Sequence, residues 1–78
     1  MPRSRKDRIL PVAPVDRLIR KAGAERVSDT GAEKLAKILE EVGEELARMA
    51  VDLTEHADRK TITDADVELA YKQWRRGR

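Results

Sequence analysis

Apolar residues recur at helical spacing in three separate stretches of the chain. In the longest, which runs from about Thr30 to His56 without a proline, apolar positions recur at spacings of three and four residues, twice as an adjacent pair. They are Leu35, Ile38, Leu39, Val42, Leu46, Met49, Ala50 and Leu53. This stripe predicts one amphipathic α-helix. About 27 residues at 1.5 Å each make a rod of roughly 40 Å, which two short helices cannot cover.

A shorter helix is predicted on each side of this rod. The first starts near Pro14, which suits a first turn, and stops at Gly23, which tolerates a left-handed backbone. Its apolar face consists of Val15, Leu18, Ile19 and Ala22. The apolar face of the other helix consists of Val67, Ala70, Tyr71 and Trp74. With no strand pattern in between, the predicted class is all-α, in the order short, long, short.

Two pairs of residues predict where helices begin. Ser28, Asp29 and Thr30 are all suitable N-caps of the rod, and Thr30 with Glu33 fits a capping box. Thr63 with Asp66 fits a second box, at the start of the last helix.

Composition argues against a monomer and against an enzyme. A chain of 78 residues with 3% aromatics and no phenylalanine has too small a core to fold alone without a disulfide, a metal or a second subunit. It has no cysteine, and His56 is its only histidine, which excludes a disulfide and a cysteine or multi-histidine metal site. No nucleophile–base pair is visible, so neither a cofactor nor a small-molecule substrate is expected. Without a membrane span or a secretory signal, we expect a small oligomeric protein of the cytoplasm.

The charges are segregated along the chain. Residues 1–27 carry eight basic and three acidic side chains, residues 28–58 three and nine, and residues 59–78 six and three. Such segregation lets a nearly neutral protein present a positive surface to a polyanion. A solvated acidic helix with frayed basic ends explains the same counts, and charge alone does not decide between the two.

Four segments resemble those of an archaeal histone in sequence and in separation. They are LPVAP at 10–14, AGAERVS at 22–28, LAKILEE at 35–41 and RKTI at 59–62. The resemblance implies a histone fold over residues 10–75, with a flexible basic arm at 1–9 and a basic tail at 76–78. It also implies a handshake homodimer, in which two long helices cross and cover each other. Periodicity alone fits an antiparallel four-helix bundle equally well.

The resemblance implies a DNA interface built from loops and the first helix. In a histone dimer the first loop of one protomer lies beside the second loop of the other. By similarity, Arg26 enters the minor groove, Thr61 steadies it and Lys60 contacts phosphate. On the first helix Arg17 holds the backbone, and Arg20 and Lys21 assist. Ordinary solvated loop charge is the alternative interpretation.

The resemblance gives four further residues structural or assembly roles. Arg59 pairs with Asp66 as a structural clamp and does not contact DNA. Leu53 and His56 form a contact between dimers, where His56 reaches Asp66 of the neighbouring dimer. A boundary histidine inside the fold is the alternative for His56. Gly23 allows close stacking of superhelical turns, or is simply a helix stop.

The favoured function is sequence-tolerant binding, wrapping and compaction of double-stranded DNA, at the chromosome in the nucleoid. Homodimers would assemble into tetramers or longer superhelical polymers. The alternative is a histone-fold component of a heterodimeric transcription-factor or kinetochore-type complex, and pairing with a paralogue is left open. A purely structural helical module, with DNA irrelevant, is the third hypothesis.

Overall fold

The computed structural model describes residues 9–77. Within that range the chain consists of three helices and no strand: α1 at Val12–Lys21, α2 at Asp29–His56 and α3 at Asp64–Arg76. The all-α prediction and its short, long, short order are confirmed. The predicted arm lies outside the described residues except for Ile9, as does Arg78 of the predicted tail. Of that tail, Arg76 is the last residue of α3 and Gly77 is its C-cap.

The long helix begins after the first of its three candidate N-caps. α2 starts at Asp29, and Ser28 is its cap, because the Ser28 hydroxyl accepts the backbone N–H of Gly31 at 3.0 Å. The predicted box of Thr30 with Glu33 is therefore wrong, since both residues already lie inside the helix. This start puts the Asp29 carboxylate in the first turn, where its negative charge interacts favourably with the positive end of the helix dipole.

Gly23 ends α1 with its backbone at φ +119°. The N–H of Gly23 donates to the carbonyl of Arg20 at 3.0 Å, and the N–H of Ala24 donates to that of Ile19 at 3.4 Å. This pair of bonds is a Schellman motif, which satisfies helix carbonyls that have no partner within the helix. The predicted helix stop is present, and it needs a residue that adopts positive φ.

Two compact units make up the chain, Met1–Glu41 and Val42–Arg78, and α2 runs through both. In the first unit the buried apolar residues are Val15, Ala32 and Ala36, and in the second they are Ala50 and Ala70. Among the described residues no large side chain is fully buried. Eight large apolar side chains are exposed instead: Ile9, Leu18, Ile38, Val51, Ile62, Val67, Leu69 and Tyr71. One copy of the chain therefore leaves much of its apolar surface in water.

A buried carboxylate fixes the segment that leads into α1. Glu40, on α2, accepts the backbone N–H groups of Ile9 and Leu10 on one oxygen, the second at 3.2 Å. Helical periodicity could not predict this contact, because the partners lie about 30 residues apart in sequence.

A second buried carboxylate joins the end of α2, the following loop and the start of α3. Asp66 accepts two hydrogen bonds from the Arg59 guanidinium, at 2.7 and 3.0 Å. It also accepts the backbone N–H of Thr63 at 2.9 Å, within the predicted capping box, and the Thr54 hydroxyl at 3.0 Å. The guanidinium of Arg59, followed by the N–H of Thr63, holds the pKa of the Asp66 carboxyl well below its usual range. Asp66 in turn raises the pKa of Arg59.

Replacing Gly23 by alanine should lower the free energy of unfolding by about 1–2 kcal/mol, because a Cβ disfavours positive φ. Asparagine, which tolerates positive φ better than alanine, should cause a smaller loss. Chemical denaturation of both variants measures the difference. Equal stability of Gly23→Ala and wild type would contradict a backbone role, since a Cβ at this position meets no atom within 4 Å.

Replacing Arg59 by alanine should lower the Tm by several degrees at pH 7, because Asp66 would keep a buried charge without its ion-pair partner. The matched control is Arg48→Ala, which removes a solvent-exposed pair with Glu44 on α2 and should have little effect. Equal losses in both variants would contradict the clamp.

The difference between wild type and Arg59→Ala should also depend on pH. The pKa of Asp66 is depressed in the folded state, so its stabilisation is complete above the ordinary aspartate pKa of about 3.9 and is lost as pH falls further. Melting curves from pH 7 to pH 2 should show the two proteins converging at the acid end.

Candidate nucleic-acid interface

Arg26 lies in the first loop, between the end of α1 and the Ser28 cap of α2. Its side chain is exposed and forms no hydrogen bond or ion pair with any residue of the described range. The loop itself is braced by Arg20, whose guanidinium donates to the carbonyl of Glu25 at 3.2 Å and to the carboxylate of Asp16 at 2.6 Å. Arg26 is thus a cation without a described partner, and the loop on which it lies is held in place by Arg20.

Arg20 and the other two predicted cations of α1 have different surroundings. Arg20 already bonds to the Asp16 carboxylate and the Glu25 carbonyl. To assist DNA binding as predicted, it would have to share or leave these two partners. Arg17 and Lys21 are exposed and, within residues 9–77, have no side-chain partner. These two cations are therefore available to an anion.

The start of α1 is also open to an anion. Its N-cap is Pro11, which makes no side-chain capping bond, and its first turn contains no acidic residue. The first N–H groups of a helix have no partner within the helix, and they carry partial positive charge. By contrast, the first turn of α3 contains Asp64 and Asp66. Of these two helix starts, only that of α1 is left uncompensated by its own side chains.

The second loop connects α2 to α3 and presents Lys60 and Thr61 to solvent. Neither side chain has a hydrogen-bond or ion-pair partner among the described residues. The adjacent Arg59 faces inward to Asp66, and it also donates to the Thr61 carbonyl at 3.4 Å. The Arg59–Asp66 pair is thus present as a clamp, and it orders the loop on which Lys60 and Thr61 lie. Contact with DNA stays a prediction for all six residues named above: Arg17, Arg20, Lys21, Arg26, Lys60 and Thr61.

Leu53 and His56 share a shallow surface groove that is also lined by Met49, Asp52 and Gln73. The His56 Nδ1 lies 2.8 Å from the Asp52 carbonyl, which can only accept, so Nδ1 carries the proton. The groove and the exposed imidazole suit a contact with another molecule. Asp66 lies apart in the clamp, where its side chain is 8% exposed. Its Oδ1 accepts one described hydrogen bond, from Arg59, which leaves one lone pair for a neighbour.

Sequence reasoning missed three residues that position these segments: Glu40 before α1, and Thr54 and Asp58 at the second loop. Thr54 and Glu40 lie among the apolar positions of α2. A polar residue at such a position indicates that its side chain bonds to another segment, and this signal could have identified both. Asp58, one residue past the C-cap of α2, has φ +61°. The sequence offered one clue to this conformation: aspartate stands at the position after a helix where glycine is common.

The described residues hold no group of three or more histidine, aspartate or glutamate side chains arranged to bind a metal ion. None of their helices combines the length and the apolar character needed to cross a membrane.

Known proteins match most of the chain. Residues 8–71 match the family described as histone-like transcription factor (CBF/NF-Y) and archaeal histone. One of the subunits of the archaeal histone HAN1 of Thermococcus zilligii is 56% identical over 63 residues, which cover 81% of this chain and 94% of that protein. Probable archaeal histone 3 of Methanocaldococcus jannaschii is 49% identical over 63 residues, with the same coverage of both chains.

These matches confirm the resemblance found in the four sequence segments. The family consists of structural DNA-binding proteins that dimerise through the histone fold, which confirms the expectation that the chain is not an enzyme. The three helices of the described residues, in the order short, long, short, are consistent with the histone fold. The chain belongs to the family of histone-like transcription factors and archaeal histones.

Proposed function

We propose that this chain packages double-stranded DNA with little regard to sequence, as a homodimer that wraps the duplex and assembles further. The observation that carries the proposal is that four exposed cations without a described partner, Arg17, Lys21, Arg26 and Lys60, lie on α1 and the two loops of a histone-family chain. Exposed cations also occur as ordinary solvated charge, and it is their place on α1 and the loops of a histone-family chain that favours a polyanionic partner.

The dimer follows from the apolar surface that one copy leaves uncovered. Leu18 and Ile38 in the first unit, and Val51 and Val67 in the second, are each more than one-third exposed. Burying apolar surface contributes roughly 25 cal/mol per Å². In a handshake, the partner's α2 and short helices cover these side chains, and the first loop of each copy lies beside the second loop of the other.

In that arrangement each end of the dimer carries one Arg26 and one Lys60 with Thr61. Arginine inserted into an inward-facing minor groove holds DNA without reading bases, as histone octamers do. Lys60 and the loop amides meet phosphate, while Arg17 and the open N-terminus of α1 hold the backbone nearer the centre. Any preference among sequences then arises from how easily the DNA bends.

Assembly of dimers uses the groove that contains Leu53 and His56. A hydrogen bond from His56 Nε2 of one dimer to the remaining lone pair of Asp66 in the next requires a proton on both ring nitrogens, because Nδ1 already donates to the Asp52 carbonyl of its own chain. Gly23, which leaves open space where a Cβ would project, allows successive turns of a protein–DNA superhelix to approach closely. Such a protein would work at the chromosome, in the nucleoid of the cytoplasm.

A second candidate is a heterodimer with a related chain. The relative from Thermococcus zilligii carries the name of one subunit of a histone, so that protein is one part of an assembly. In this case the present chain would bind DNA only together with its partner, as in a transcription-factor or kinetochore-type complex.

Nuclease digestion of mixed-sequence duplex DNA with the purified chain tests the proposal. We expect protected fragments that increase in even steps, because homodimers add one after another. Combined Arg26→Ala and Lys60→Ala should remove protection and reduce the salt dependence of binding by about one unit per lost phosphate contact. Lys34→Ala, an exposed cation of α2, is the matched control and should keep the pattern.

Other outcomes of this experiment distinguish the candidates. A single protected fragment length would contradict polymer formation but not wrapping. We expect His56→Ala and Leu53→Ala to give such a single length, because both remove the contact between dimers. No protection by the chain alone would favour the heterodimer. Equal protection by wild type and the double loop variant would contradict the DNA interface and favour a structural module.

The midpoint of α2 offers a separate test of the handshake. Gly43 lies there, and in one copy a Cβ at this position would meet nothing within 4 Å. A lone helix should therefore gain about 0.5–1 kcal/mol from Gly43→Ala. If two α2 helices cross at their midpoints, the added methyl group separates them, and we expect a loss of stability instead. Denaturation at several protein concentrations measures this, since a dimer unfolds at a concentration-dependent midpoint. A gain in stability would contradict a crossing at Gly43.

A further inference from the structure

The helices α1 and α2 end in the same backbone turn, but with different residues at its critical position. After α2 the N–H of Asp58 donates to the Glu55 carbonyl at 3.0 Å, and the N–H of Arg59 donates to that of Thr54 at 3.0 Å. This is the hydrogen-bond pattern found at Gly23 after α1. Asp58 adopts φ +61°, a left-handed conformation that costs residues with a Cβ more than it costs glycine.

The backbone of this turn does not require a carboxylate. Glycine would adopt the same φ with less strain, and asparagine would adopt it about as easily as aspartate. Within residues 9–77, the Asp58 carboxylate has no hydrogen-bond or ion-pair partner, and it is exposed. What aspartate adds at this position is therefore an uncompensated negative charge.

That charge lies on the loop that presents Lys60. Asp58, Lys60 and Glu55 line one surface groove at the end of α2. Arg59 does not offset Asp58, because its own charge is neutralised by Asp66 in the clamp. The second loop therefore presents one free cation and one free anion, only two residues apart.

We propose that Asp58 limits how tightly the second loop holds DNA. This inference rests on the proposed function, in which Lys60 meets a phosphate. Because Asp58 and Lys60 line one groove, a phosphate at Lys60 approaches the Asp58 carboxylate, and salt screens such a repulsion only partly at separations up to the Debye length, ~10 Å at 0.1 M salt. Asp58 offsets part of the attraction due to Lys60 and makes release of the duplex easier. The residue thus tunes affinity without reading sequence.

The experiment compares Asp58→Asn and Asp58→Gly with wild type, on a short duplex that holds one dimer and over a range of salt concentrations. Both variants remove the same charge, but only glycine also relieves the backbone strain. We expect both to bind about threefold more tightly per loop, or about tenfold per dimer, at 50 mM salt, with a smaller gain at higher salt. Only Asp58→Gly should also raise the Tm.

The matched control is Glu41→Gln. It changes the net charge by the same amount at an exposed position of α2, away from the second loop. If Glu41→Gln tightens DNA binding as much as Asp58→Asn does, the effect is one of net charge alone and the inference is overturned. Tighter binding of Asp58→Gly alone would assign the effect to backbone strain and overturn it as well.

The outcome also separates this inference from the proposed function. If wild type binds DNA, and binding weakens in the Arg26 and Lys60 variant but is unchanged in Asp58→Asn, only the role of Asp58 is overturned. If wild type binds no duplex under these conditions, both are overturned.

Discussion

The apolar face of α2 is the constraint on which the rest of the structure depends. The helix has 28 residues, and the side chains that one copy buries along it are small: Ala32, Ala36 and Ala50. Its larger apolar residues stay half-buried or exposed. Apolar burial is the dominant favourable contribution to folding, so a chain with this distribution folds stably only when a second copy or a related chain covers the stripe. The histone-fold dimer is therefore a requirement of the fold as much as a feature of its function.

What could be predicted from the sequence is what depends on neighbouring residues. The three helices, the stop at Gly23 and the capping box of Thr63 with Asp66 all follow from residues within one or two turns of each other. The start of α2 was left open by the sequence, because three consecutive residues are good N-caps and the pattern cannot choose among them; only the capping box of Thr30 with Glu33 was predicted wrongly. Ser28 is the cap because its hydroxyl reaches the N–H of Gly31.

Contacts between distant segments were beyond these patterns. The bonds from Ile9 and Leu10 to Glu40 join residues about 30 positions apart, and the bond from Thr54 to Asp66 joins residues 12 apart. The predicted DNA contacts came only from the resemblance to archaeal histones. Charge counts place cations in the loops, but they do not tell a free cation from one that is paired inside the fold.

The Arg59–Asp66 clamp makes the two loops differ in their free cations, because it neutralises the arginine of the second loop. Arg26 and Arg59 are the same residue type on exposed loops, yet Arg59 has a buried carboxylate 2.7 Å away and Arg26 has no described partner. Because Asp66 neutralises Arg59, Lys60 is the one free cation that the described second loop leaves to the proposed interface, and the free carboxylate of Asp58 lies two residues away. The first loop and α1 carry Arg26, Arg17 and Lys21, and the exposed carboxylate of Glu25 lies next to Arg26 in sequence. Most free cations of the proposed interface therefore lie on the first loop and α1. In that proposal the second loop contributes Lys60, its ordered backbone and Thr61, whose carbonyl is contacted by Arg59 of the clamp.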